Sequence, residues 1–159
     1  MNASNRKMIG NGAVITFIGL LAGFGLVMSM IGGFEVFPGS ILHFSMPGDP
    51  SAWARTHVGG IMNGLMVILF AVFIHSADLP QRMAWHLRWM VTGAGYANTV
   101  FYWAALFAPN HAVTFGSSRL GHWNLAGIIG FAPALIFAIV LLIAMIMIMR
   151  WAFSSKARS

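Results

Sequence analysis

The fold is decided by residues 53–64, Trp-Ala-Arg-Thr-His-Val-Gly-Gly-Ile-Met-Asn-Gly, which open the second of four long apolar segments. Within this stretch His57 lies at the mouth of a predicted membrane helix, paired glycines follow it, and Asn63 lies inside the apolar run. Polar groups are costly in hydrocarbon and usually serve a function there. His57 and Asn63 are therefore the first candidates for chemistry.

The composition indicates a membrane protein. Of the 159 residues, 58% are hydrophobic and only 8% are charged, whereas soluble domains are about 25% charged. Four spans of about 20 residues each would use roughly half of the chain, so we expect a single transmembrane domain over residues 1–159. Cysteine is absent from the sequence, which excludes thiolate metal ligands and leaves histidine as the obvious ligand for a soft metal.

The apolar segments predict an all-α, integral membrane four-helix bundle. The spans cover approximately residues 11–31, 57–76, 84–107 and 124–151. The first is too long for the apolar region of a signal peptide and no cleavage site follows it, so we interpret it as an uncleaved helix. Its glycines Gly19, Gly23 and Gly25 predict the close approach of a neighbouring helix.

The connection between the first two spans, residues 32–56, is rich in Gly and Pro and is interpreted as an ordered loop packed against the helices. It contains Glu35, one of three acidic residues in the chain. A role for Glu35 in capping a helix or pairing with Arg55 is favoured over a role as general base or proton relay.

The distribution of basic residues predicts the topology. The N-terminus, the second turn and the C-terminus carry seven of them: Arg6, Lys7, Arg82, Arg88, Arg150, Lys156 and Arg158. The other two are Arg55 and Arg119, so the positive-inside rule predicts that both termini are cytoplasmic. Because these charges lie at segment ends and not on one polar face, the net charge of +6 indicates a lipid bilayer as partner and no nucleic acid.

The third segment has a polar face of its own. Ala94, Asn98 and Tyr102 recur every four residues and so share one side of a helix, which is expected to face the interior. Tyr102 could donate a hydrogen bond to an oxygen on which negative charge develops, and Asn63 could supply a second donor. A hydrogen bond between helices that only aids packing explains the same pattern equally well.

The histidines differ in their predicted depth. Five flank turns or lie in loops, where solvent or headgroups surround them: His43, His75, His86, His111 and His122. His57 begins a helix beside Gly59 and Gly60, which would let a large flat group approach the backbone. The residues alone leave two roles open for this site, a haem or metal ligand and simple close packing of helices.

Taken together, these residues resemble the bacterial styrene oxide isomerase family of small membrane enzymes. The motifs that carry the resemblance are Gly32-Gly33-Phe34-Glu35, Pro38-Gly39, Pro47-Gly48, Trp53-Ala54-Arg55 with His57, Asn63-Gly64-Leu65-Met66-Val67, Ala97-Asn98, Phe101-Tyr102, Pro109-Asn110 and Thr114-Phe115-Gly116. They cover roughly residues 6–150 and are specific as a set.

The resemblance implies a homotrimeric haem b protein of the bacterial inner (cytoplasmic) membrane that converts styrene oxide or related aryl epoxides to aldehydes by a Meinwald rearrangement. His57 would be the axial ligand of the ferric haem iron, which would act as a Lewis acid. Asn63 and Tyr102 would orient the epoxide. Where the family pattern has an aspartate this chain has Ala94, so we expect a different epoxide preference, reduced activity or compensation from another residue.

Two other classes of function stay open. A membrane b-type cytochrome that transfers electrons would typically need a second axial ligand, for which His111 and His122 are available. A small membrane scaffold or transporter would need no cofactor. The optical spectrum of the purified protein distinguishes the three classes.

Overall fold

The computed structural model describes residues 1–154. Its elements, in chain order, are α1 (Ala3–Ile31), β1 (Gly33–Phe37), β2 (Ser40–His43), α2 (Pro50–Ser76), α3 (Gln81–Ala105) and α4 (Leu125–Ala152). α1 packs along α2, α2 along α3, and α3 along α4, and α1 also contacts α3. The four predicted helices are confirmed, whereas the two strands were not expected.

Three of the helices begin at a polar cap. The side chains of Asn2, Asp49 and Asn124 each accept a hydrogen bond from the backbone N–H three residues further on. Pro50 is the first residue of α2, where its missing N–H is of no consequence. α2 therefore begins about two turns before His57, so the expected helix start at His57 is wrong and the imidazole projects from regular helix.

Residues 33–43, interpreted from the sequence as part of an irregular loop, form an antiparallel β-hairpin. A two-residue turn, Pro38-Gly39, joins the strands, and Gly39 has a φ of 83° that glycine adopts without steric cost. The backbone N–H of Gly39 donates to Glu35 Oε1 at 2.7 Å. The Glu35 carboxylate thus holds the turn, in place of the predicted pairing with Arg55.

α1 and α2 approach each other through glycine. A Cβ added to Gly60 would lie 2.6 Å from the Cα of Gly19, and one added to Gly64 would lie 2.6 Å from the carbonyl oxygen of Gly12. Both distances are shorter than atoms tolerate, so the two backbones can meet only because side chains are absent. The predicted close approach of a helix to the glycines of the first segment is confirmed at Gly19.

The N-terminus, the turn between α2 and α3 and the end of α4 lie at one end of the molecule. Arg88 Nε donates to Asn5 Oδ1 at 2.8 Å, and the rings of Phe73 and Trp151 meet edge to face with centroids 5.9 Å apart. The five basic residues of this end that the structure describes are therefore gathered together, as the charge pattern predicts. Lys156 and Arg158 lie outside the described residues.

Three helices, α1, α2 and α4, are each long and apolar enough to cross a membrane. α4 buries only Gly127, Gly130 and Ala144 among its 28 residues. A helix that is apolar on every side requires lipid or another protein surface around it. The chain is a membrane protein, and most of the surface of α4 is available to lipid or to a second copy.

Candidate functional site

His57 faces α1 and is fixed by it. Its Nδ1 lies 2.9 Å from the backbone oxygen of Gly19, and its ring packs on Gly23, where a Cβ would lie 2.9 Å from the imidazole Cε1. Since a carbonyl oxygen can only accept, Nδ1 carries the proton and donates it. Nε2 is then the nitrogen with a free lone pair, which is the tautomer that metal-ligating histidines use.

The surroundings of His57 fit a haem better than a bare metal ion. Within residues 1–154, no group of three or more His, Cys, Asp or Glu side chains could hold a metal ion. A zinc site needs three or four protein ligands, whereas haem iron receives four from its macrocycle and needs only an axial one from the protein. The outward side chains next to His57, Val58 and Met62, are exposed and apolar, which suits the face of a flat apolar group.

Tyr102 reaches α2 from α3. The end of its ring lies over Gly59, so that a Cβ on Gly59 would be 2.9 Å from the phenol oxygen. The sequence left two roles open for Gly59 and Gly60, the approach of a flat cofactor and close packing of helices. Tyr102 covers Gly59, and Gly19 of α1 covers Gly60, so the space directly above these two glycines is used for packing.

Thr56 is a residue of the site that the sequence did not reveal. It is buried, and its hydroxyl lies 2.9 Å from the carbonyl oxygen of Ala52 and 3.2 Å from that of Tyr102. The single hydroxyl proton of Thr56 can be donated to either carbonyl oxygen. Its hydrogen bond to the Tyr102 oxygen links the backbone of α3 to α2. A threonine in an apolar helix is too common for its sequence position to have shown this contact.

Two cavities share Arg55 and Tyr102. The first, of about 350 Å³, lies between the start of α2 and the loop after α3, and the second, of about 410 Å³, is an open groove along the outer face of α2 beside Val58 and Met62. Both volumes fall in the range of small-molecule sites. The phenol therefore lies between two spaces, each large enough for a small aromatic molecule.

The first cavity has one polar side. The Ser51 hydroxyl and the Ala52 N–H donate to Asp49 and hold the pKa of its carboxyl below the usual value, and the Arg55 guanidinium adds to the shift. His111 also lines this cavity, and its backbone has a left-handed φ of 55°. Such a conformation is strained in a residue with a side chain, and no pattern in the sequence indicates it.

Asn63 is nearly buried at the contact between α2 and α3, with 9% of its surface exposed. Asn98 Nδ2 donates to Asn63 Oδ1 at 3.2 Å, so a hydrogen bond between the helices is present. Among residues 1–154, Asn63 Nδ2 is the one buried side-chain polar atom without a hydrogen-bond partner. An unpaired buried donor costs about 1–3 kcal/mol, so Nδ2 is a donor that an oxygen brought to this contact would satisfy.

The candidate residues do not all lie together. Asn63 and Tyr102 are on the side of α2 that faces α3, whereas His57 faces α1. A helix turns about 100° per residue, so His57 and Gly59, the contact of Tyr102, point in directions about 200° apart. The exposed face with Val58 separates them. One chain thus places the two donors on the side of α2 that faces α3 and the imidazole on the other side of the same helix.

The sequence is similar to known proteins over most of its length. A family model described as styrene oxide isomerase matches residues 4–153. A styrene-oxide isomerase of Pseudomonas fluorescens is 39% identical over 140 residues, which make up 88% of this chain and 83% of the relative.

Proposed function

The chain belongs to the styrene oxide isomerase family, and on this premise we propose that it rearranges styrene oxide or a related aryl epoxide to the aldehyde, with ferric haem b as cofactor. That the protein is an isomerase follows from the family itself. The haem and the Meinwald route are our proposal. The observation that carries it is the fixed tautomer of His57, whose Nε2 is left with a free lone pair.

His57 would hold the haem through Nε2. The bond from Nδ1 to the Gly19 oxygen orients the ring and makes the imidazole a stronger ligand. When bound, ferric haem would supply a Lewis acid for the epoxide oxygen. The rest of the site then has to bind the substrate, stabilise the oxygen and exclude water.

Tyr102 and Asn63 would act on the epoxide oxygen. The phenol O–H and the unpaired Nδ2 are both donors, and donors aimed at an oxygen stabilise the negative charge that develops there as the C–O bond breaks. The benzylic carbon then takes up a hydride from its neighbour, and a carbonyl forms. Substrate and product are isomers, so the reaction consumes neither water nor a reductant.

The apolar walls of the site would protect the reaction. Phe101 and Val113 in the first cavity, and Val58 and Met62 in the second, offer hydrocarbon to the aryl ring. Water at the benzylic cation would give a diol instead of an aldehyde. Excluding water therefore determines which product forms.

A second copy of the chain is part of the proposal. Because His57 and Tyr102 lie on opposite sides of α2, a haem held by His57 of one copy would reach Tyr102 and Asn63 of the next if the His57 side of one α2 meets the Tyr102 side of its neighbour. Head-to-tail contacts of this kind close into rings, and we propose a homotrimer. The basic residues gathered at one end of the helices support cytoplasmic termini in the bacterial inner membrane.

The test is turnover of styrene oxide by the purified full-length protein, expressed with haem supplied. We expect phenylacetaldehyde by gas chromatography without added reductant, and an optical spectrum of haem with one protein ligand. Haem-containing protein that yields no aldehyde from any aryl epoxide would overturn the proposed function. A six-coordinate bis-histidine spectrum would favour electron transfer, and active but colourless protein would remove haem from the proposal.

Ala94 gives a prediction about substrate preference. It is 1% exposed and lies one turn before Asn98 on the polar face of α3. Ala94→Asp places an acceptor near the free donor of Asn63, so we expect the ratio of rates on aryl and alkyl epoxides to change on the order of tenfold, the effect of about one hydrogen bond. The haem spectrum should not change, because the substitution leaves the proposed axial ligand, His57, in place.

Ala94→Asn is the matched control for this change, since it has similar volume and no charge. It separates the effect of a carboxylate from that of a larger side chain. Wild-type rates for Ala94→Asp across several aryl and alkyl epoxides would contradict the prediction, and would also weaken the roles given to Asn63 and Tyr102.

A further inference from the structure

We propose that Asn98 is a positioning residue for Asn63, and that its amide determines which end of the Asn63 side chain faces the reacting oxygen. This inference rests on the proposed function, because it takes Asn63 as a donor to the epoxide. Asn98 itself acts through Asn63.

The argument begins with the shape of an amide. Its oxygen and its NH₂ group are nearly the same size, so packing alone does not choose between the two orientations of a buried asparagine. Asn98 Nδ2 donates to Asn63 Oδ1 at 3.2 Å. The oxygen end of Asn63 is therefore engaged by protein, and the nitrogen end, Nδ2, is the unpaired atom.

No other acceptor on this face of α3 competes for the free donor. Ala94, one turn before Asn98, presents only a methyl group and is buried. Tyr102, one turn after Asn98, lies against the adjacent turn of α2 at Gly59. Asn98 thus holds the Asn63 amide one turn of α3 away from Tyr102, and we assign the amide N–H and the phenol to the same ligand oxygen.

The test replaces the Asn98 amide by a carboxyl group, which only accepts hydrogen bonds when it is ionised and can donate one when it is protonated. In Asn98→Asp, the ionised carboxylate has only acceptors, so it should attract Asn63 Nδ2, rotate the amide and remove the donor from the site. Once protonated, the same carboxyl can donate its O–H to Asn63 Oδ1 and restore the original orientation. Asn98→Ala removes the contact without either effect.

We expect Asn98→Ala to lower kcat several-fold with little change in KM. Without Asn98 the Asn63 amide no longer prefers one orientation, and the donor that is then misplaced part of the time acts in the transition state. Asn98→Asp should be slower still at about pH 8, by roughly tenfold, the effect of one lost donor. The ratio of the Asn98→Asp rate to the Asn98→Ala rate should then rise as the pH falls to about 5 and the carboxylate takes up a proton.

This ratio isolates the introduced group. The titratable side chains on the neighbouring turns are His57 on α2 and Tyr96 and Tyr102 on α3, and both variants keep them. α1 and α4 carry no titratable side chain over residues 8–31 and 125–149. A misfolded fraction lowers the measured rate of a preparation by the same factor at both pH values. It therefore does not change how the rate ratio depends on pH.

Asn11→Asp is the matched control. Asn11 lies on α1, and its Oδ1 accepts the hydroxyl of Tyr96 at 2.7 Å. A carboxylate can still accept there, and the bond that is lost, from Asn11 Nδ2 to the Lys7 oxygen, is exposed, so this variant should keep the wild-type rate and pH profile. It shows that a carboxylate introduced into a helix does not by itself produce the pH-dependent ratio.

The outcomes separate the inference from the proposed function. Active wild-type protein with an Asn98→Asp to Asn98→Ala ratio that does not depend on pH would overturn the inference alone. An unchanged kcat for Asn98→Ala would do the same, and this variant decides the question if Asn98→Asp does not accumulate. Wild-type protein that binds haem but isomerises no epoxide would instead overturn the proposed function.

Discussion

His57→Ala protein will insert in the membrane and lose most of the haem that we propose it binds. The apolar helices insert through hydrophobicity and their internal hydrogen bonds, and α2 begins at Asp49 and Pro50, about two turns earlier. The backbone contacts of Gly60 with Gly19 and of Gly64 with Gly12 do not involve the imidazole. The change therefore removes the proposed iron ligand and leaves these two contacts between α1 and α2 in place. Haem content per protein, measured on the purified protein, checks the prediction.

Two comparisons sharpen this experiment. His111→Ala and His122→Ala make the same substitution at the histidines that a cytochrome could use as a second ligand, and both should keep haem. His57→Gly opens a space beside Gly23, so added imidazole should restore haem to that variant. Full haem content in His57→Ala would move the ligand to another histidine.

Tyr102→Phe will keep the proposed haem and lose activity by about ten- to a thousandfold, the usual effect of removing one donor to a developing oxyanion. The ring should remain over Gly59, since that contact is made by ring atoms. The loss should fall on kcat, because the donor matters most in the transition state. Steady-state rates with styrene oxide, together with the haem spectrum, measure both quantities.

Tyr96→Phe is the matched control for this variant, because the chain has only two tyrosines. The Tyr96 hydroxyl donates to Asn11 on α1, at a contact between helices. Its loss should affect stability by about 1 kcal/mol and leave the rate within a few-fold of wild type. Wild-type activity in Tyr102→Phe would show that the phenol serves packing alone.

Much of the helical structure follows from the sequence, because length and hydrophobicity determine which segments form spans. The start of α2 was missed because Pro50 suggests a loop in a Gly/Pro-rich stretch, although it also fits the first turn of a helix behind the Asp49 cap. The hairpin was missed because its strands are short. The Pro38-Gly39 turn between two apolar runs is the signal that could have found it.

The positions of the site residues relative to one another were harder to predict than the identities of those residues. The helical period correctly places Asn98 and Tyr102 on one face, and both contact α2. The same period gives the angle between His57 and Gly59, but not which neighbouring helix lies in each direction. That depends on the glycine contact between Gly19 and Gly60, which a sequence pattern does not identify as a pair.

The space beside Tyr102 has a consequence for how the protein encounters its substrate. It lies along the outer face of α2, next to Val58 and Met62, which are more than half exposed. In a bilayer this face meets acyl chains or a neighbouring copy. An uncharged aryl epoxide dissolves preferentially in those acyl chains. The reaction rate therefore depends on the concentration of the epoxide in the lipid, and not on its concentration in the water. An apparent KM for such a molecule would then rise with the amount of lipid or detergent in the assay.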